Sequence, residues 1–191
     1  MTRGYSMLAS WKYVDSTYDA TTKQAIVDQL SPEVQQALGT YKEIEFYPVQ
    51  HWSEILRGIA TVVGKTDAKA EQELVACGTF IATEATNTFL RLLMRVLTPN
   101  LFAKKIPSLW TRDNTAGSFS VDLSAADAGR YTFKLTGVDG YPYCGPVAMG
   151  WIAFAMKSMG CRTKSLKLSS SWSLANPGPN ELSIELELEG S

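Results

Sequence analysis

Leu182-Ser183-Ile184-Glu185-Leu186-Glu187-Leu188-Glu189 alternates apolar and polar side chains without a break. Successive side chains of a strand point to opposite faces, so this stretch predicts a strand with one face on a core and one in water. Just upstream, Asn176-Pro177-Gly178-Pro179-Asn180 has the composition of a turn. Before that turn, Leu166, Leu168, Trp172 and Leu174 alternate with Lys167, Ser169, Ser171 and Ser173, which predicts a partner strand over 166–174. If the two strands pair, the basic outward face of the first meets the glutamates of the second. The same period of two recurs over 118–123, with Phe119, Val121 and Leu123 inward, and over 130–136, with Tyr131, Phe133 and Leu135 inward. Ala125-Ala126-Asp127-Ala128-Gly129 supplies the loop of this first hairpin. Between the hairpins, 146–159 predicts a helix closed by Gly160. Strands that are apolar on one face only belong to antiparallel sheets.

The N-terminal half has a helical period instead. Helices are expected over 7–18 and 20–30, and another from Ser31-Pro32-Glu33 to Gly39, where a hydroxyl cap, a proline at the first position and an acid in the first turn coincide. Glu45-Phe46-Tyr47-Pro48 is an extended link, and Trp52, Ile55, Leu56, Ile59 and Val63 mark a helix over 51–63, stopped by Gly64. No proline interrupts 67–97, which predicts one long helix, kinked at Gly78. From Phe89 to Leu97 every residue except Arg91 and Arg95 is apolar, so this end is expected to be the buried central rod. Over 100–110 a short helix or turn is expected, interrupted by Pro107. The fold class is α+β: a helical half packed on a four-stranded antiparallel sheet in β-β-α-β-β order. One domain over 1–191 is expected, with a helical subdomain over 1–112 and a sheet-containing subdomain over 113–191.

The 191 residues are 45% hydrophobic and 19% charged, ordinary for a globular chain, and the net charge of −1 lacks the basic excess a nucleic-acid binder uses. The most apolar stretch, 143–156, is too short to span a bilayer, and no apolar segment of a secretory signal follows Met1. Cys77, Cys144 and Cys161 are too few and scattered for a disulfide framework, so free thiols in the cytoplasm are expected. His51, the single histidine, has no Cys/His cluster around it, and no metal site is expected. No phosphate-binding glycine loop or nucleophile elbow occurs. Cys144, near a helix start, is a candidate nucleophile if the helix amides lower its pKa. Arg91 and Arg95 share one face and are candidates for contact with an anion or a partner protein. The aromatic surplus suits an apolar ligand pocket around the central helix, with Phe80, Phe89, Leu93, Trp110 and Trp151 as its candidate lining.

A family resemblance adds to this reading. The order of the Gly4…Trp11 helix, Phe46-Tyr47-Pro48, Phe89-Leu90…Leu97-Thr98-Pro99, Leu101…Pro107-Ser108-Leu109-Trp110, two strands and Gly150-Trp151-Ile152 before a closing hairpin resembles a family abundant in myxobacteria. That family looks related to the haem nitric oxide/oxygen binding (H-NOX) domain and to TRAPP and 4-vinyl-reductase-like domains. The resemblance implies a helical half on a four-stranded antiparallel sheet, and a non-catalytic regulatory module, a sensor or adaptor, that binds a small apolar ligand or a partner protein, with a homodimer compatible. The haem-binding relatives carry a proximal histidine before the sheet, whereas 97–110 here contains none. No cofactor is therefore expected. The alternatives are a haem-based gas sensor with His51 or a cysteine as axial ligand, or an enzyme using Cys144.

Overall fold

The computed structural model describes residues 1–86, 94, 96–138, 141–169 and 171–190. The helical half runs α1 (Gly4–Thr17), α2 (Ala20–Val27), α3 (Pro32–Ala37), α4 (Val49–Gly58), a π-helical turn (Ile59–Gly64), α5 (Asp67–Ala85) and α6 (Pro99–Asp113). The two-residue strands β1 (Thr2–Arg3) and β2 (Phe46–Tyr47) pair antiparallel beside it. Then follow β3 (Ser118–Asp122), β4 (Arg130–Thr136), α7 (Cys144–Ser158), β5 (Thr163–Leu168) and β6 (Glu181–Leu188). The last four strands form an antiparallel sheet in spatial order β3-β4-β6-β5.

The register explains the alternation. Val121, Phe133, Ile184 and Leu168 lie directly opposite one another across the four strands. Phe133, Leu135, Leu182 and Ile184 are fully buried. On the outer face, Lys167 stands opposite Glu185 and Arg130 opposite Glu187, so charge complementarity supports the register. The inner face of the sheet is covered by α7, and α7 is in turn crossed by α5. At that crossing two glycines bring the backbones together: a Cβ at Gly78 would lie 2.1 Å from the Val147 carbonyl oxygen, and one at Gly150 would lie 2.2 Å from that of Val75. Gly78 is thus a packing contact inside a continuous α5, where the sequence suggested a kink.

Three expectations change. The helix predicted over 67–97 ends at Ala85. Thr86 leaves helical space (φ −105°, ψ 99°), and its hydroxyl donates to the Ala82 carbonyl, a local bond that competes with the helical ladder. Most of the expected apolar rod over 89–97, namely 89–93 and 95, lies outside the described residues; near its far end Val96 is 74% exposed. Secondly, Pro107 does not interrupt α6, which continues through it to Asp113. Thirdly, the strand expected over 166–174 is shifted to Thr163–Leu168. Beyond it Ser169 and Ser171 hydrogen-bond each other, and Trp172 is buried from a turn instead of from the strand.

Candidate functional site

Two helices face each other with matching stripes. On α6, Phe102, Ile106, Leu109 and Trp110 recur at helical spacing, and on α7 so do Cys144, Val147, Ala148, Trp151 and Ile152. Between them lies a cavity of about 140 Å³, closed further by Trp52 of α4, Ile81 of α5 and Phe119 of β3. Space remains there because small side chains, Ser6, Cys144 and Ala148, stand among aromatic ones. The large rings are held from outside. The Trp110 indole N–H donates to the carbonyls of Ala116 (3.1 Å) and Gly117 (3.2 Å), and its ring leans on Tyr141 and Phe119. The Trp52 N–H donates to the Ser10 hydroxyl at 2.9 Å. With their polar atoms occupied elsewhere, Trp52 and Trp110 present apolar faces to the cavity.

One end is polar. Tyr5 and Ser6 of α1 bring two hydroxyls, and burial, with the nearby Asp113 carboxylate, pushes the Tyr5 phenol far above its ordinary pKa. Asp113 is held by both nitrogens of the Arg112 fork (2.9 and 2.6 Å) and by Arg3 at 3.3 Å. That pairing raises the Arg112 pKa. Arg3 also lies over the Phe46 ring and donates to the Arg112 carbonyl. Tyr5, Arg112 and Asp113 line, on their other side, an open cleft rimmed by Lys12, Glu43 and Glu84. They stand between the apolar cavity and that cleft.

Of the residues singled out from the sequence, Trp110 and Trp151 lie on this cavity. Phe80 does not; it packs edge-on against Tyr13, 5.6 Å away. Phe89, Leu93, Arg91 and Arg95 lie outside the described residues. His51 is turned away from the cavity: Nδ1 is 3.0 Å from the Tyr41 hydroxyl and Nε2 is 3.2 Å from Glu33, which ties α3 to α4. The sequence reading missed Tyr5, Ser6, Phe102, Ile106 and Asp113. The spacing of Phe102, Ile106 and Trp110 was a visible signal, concealed by reading Pro107 as a break. Among the described residues no group of three or more His, Cys, Asp or Glu is placed to hold a metal ion.

Cys144 lines the cavity but is 2% exposed, and burial pushes its thiol up to about 12. Desolvation of the thiolate outweighs the helix amides, so the expected lowering is reversed. At pH 8 its thiolate fraction therefore lies far below that of a free cysteine. Cys77, likewise buried, is pushed up to about 12. A disulfide reagent on the folded protein should therefore modify Cys161, which is partly exposed, and leave Cys77 and Cys144 until denaturant is added. Rapid modification of Cys144 in the native protein would contradict this placement.

Comparison with known proteins bears on the fold. No protein-family model matches the sequence, and no curated protein does. Solved structures do. A point mutant of an H-NOX protein from K. algicida, in its Fe(II) unliganded state, superposes with a TM-score of 0.70 at 13% identity, over 99% of this chain and 97% of that one. The Fe(II)NO H-NOX protein from S. oneidensis gives 0.59 at 12% identity, over 98% and 99%. An oxygen-binding H-NOX domain related to soluble guanylate cyclases gives 0.60 at 9%, over 95% and 92%. The chain has an H-NOX-like fold.

These neighbours correct the expectation that no cofactor is involved: they are haem-binding proteins, so haem is the group that the fold implies. The expectation rested on the histidine missing from 97–110. Side chains able to ligate iron do line the cavity, Cys144 and Tyr5. The remainder does not fit a histidine-bound haem. His51 faces Tyr41 and Glu33; about 140 Å³ is the space of a single ring, not of a porphyrin; and the arginine at the cavity's rim, Arg112, is already committed to Asp113, leaving no cation for the propionates among the described lining residues.

Proposed function

We propose that this chain is a non-catalytic cytoplasmic sensor module. A small molecule occupies the cavity between α6 and α7, and a partner protein or a second copy of the chain reads the resulting change. The observation that carries this reading is the origin of the cavity walls: α1, α4, α5 and α6 come from the helical half, and β3 and α7 from the sheet half. A ligand there contacts both halves at once, so its binding energy biases their relative packing. The described cysteines are free, consistent with a reducing compartment, and among the described residues no helix is long and apolar enough to cross a membrane.

A haem-based gas sensor is the second reading, and the solved H-NOX neighbours favour it. Here Cys144 or Tyr5 would have to face the iron. Reconstitution with haem separates the two. A Soret band that survives gel filtration, and that shifts in Cys144→Ala or Tyr5→Phe, assigns the cavity to haem. A colourless protein whose melting temperature rises with small organic molecules supports the first reading. A protein that neither takes haem nor responds to any small molecule overturns both.

A further inference from the structure

We infer that the cavity takes a neutral, flat aromatic molecule of one ring, or of indole size, carrying a single hydrogen-bonding group. This rests on the sensor reading above and names the ligand class. Three observations carry it. The first is size: at about 140 Å³ the space matches a cavity that holds one benzene-like ring. The second is wall chemistry. Trp52 and Trp110 spend their N–H groups on Ser10 and on the carbonyls of Ala116 and Gly117, so a guest meets ring faces and aliphatic carbons, the surroundings that favour an aromatic over a polar guest. The third is the polar end. Tyr5 and Ser6, two residues with hydroxyl groups, line the cavity beside Arg112 and Asp113. A hydroxyl can both donate and accept, so this end can meet one polar group on the guest.

Charge is excluded by the same accounting. Arg112 and Asp113, the one cation and the one anion among the described lining residues, are bonded to each other, so neither sign is left over there to neutralise an ionised ligand; Arg3, which also meets Asp113, belongs to the open cleft on the other side. An unpaired charge in so apolar a site is strongly disfavoured. The class is therefore phenol- or indole-like, and benzoate, an aromatic of similar size, is rejected.

Calorimetric titration of the full chain with phenol, indole, toluene and benzoate tests this, alongside melting curves. Phenol and indole should bind and raise the melting temperature; benzoate should not. Tyr5→Phe should weaken phenol about fivefold, the loss of one hydrogen bond, and leave toluene unchanged. Ala148→Phe, which fills the cavity, should abolish all binding while the circular dichroism spectrum is retained. If Ala148→Phe does not fold, competition between indole and toluene on the parent chain still tests for a shared site. Toluene binding as tightly as phenol, with no effect of Tyr5→Phe, overturns the assigned class while leaving the cavity a ligand site. Tight benzoate binding overturns the exclusion of charge. No binding by any aromatic, together with a stable Soret band after haem addition, overturns the inference and returns the cavity to haem. No response to either overturns the sensor reading as well.

Discussion

Gly150→Ala should be, with Gly78→Ala, among the most destabilising conservative changes in the molecule. The new methyl would sit 2.2 Å from the Val75 carbonyl oxygen and 2.6 Å from the Thr79 nitrogen, both backbone atoms of α5. A flexible side chain can swing aside from such a clash, whereas a helix backbone cannot. Overpacking usually costs about 1–3 kcal/mol, and a backbone collision belongs at or above the top of that range. At roughly 3 kcal/mol, a chain of this length loses about 6–12 °C in melting temperature. The damage reaches the candidate site, because prising α7 from α5 moves the stripe of Cys144, Val147 and Trp151 that forms one wall of the cavity. Chemical denaturation should show a lower midpoint with an unchanged slope. An unaltered melting temperature would mean that α5 and α7 do not meet at these glycines.

Phe133→Ala should cost at least as much, about 3–5 kcal/mol. The ring is fully buried at the middle of the sheet's inner face, opposite Val121 and Ile184, and touches the rings of Phe119 and Tyr131. Removing it opens a void that neighbours pinned in a ladder of backbone hydrogen bonds cannot collapse to fill. Lys134→Ala, one residue along and exposed on the other face, is the control and should stay within about 0.5 kcal/mol of the parent. Comparable losses from the two changes would show that the inward and outward faces of β4 have been assigned wrongly.

That contrast is legible in the sequence, since the period of two in 130–136 and 182–188 requires a one-sided sheet whatever surrounds it. The capped start at Ser31-Pro32-Glu33 was equally plain, because a cap is a local bond: the Ser31 hydroxyl accepts from the Val34 N–H. Less visible was where elements stop. The Thr86 side chain ends α5, while Pro107 does not end α6, and both outcomes depend on whether the surrounding packing compensates a local preference. The strand expected over 166–174 slid forward because Trp172 can be buried from a turn as well as from a strand.

The candidate site divides in the same way. Trp110 and Trp151 stood out as large aromatics at helical spacing, and they line the cavity. Tyr5, Ser6 and Asp113 gave no such signal, because their meeting joins residues more than a hundred positions apart and nothing in a local pattern encodes that distance. Cys144 shows the point most sharply: a cysteine at a helix start suggests an activated thiol, yet enclosure by the fold raises its pKa. Alternation, caps and composition determined the elements and their class, because those are properties of neighbours along the chain. Which faces meet, where space is left between them, and what that space does to a buried thiol or phenol were decided only by tertiary packing, since desolvation is set by whatever arrives from elsewhere in the fold.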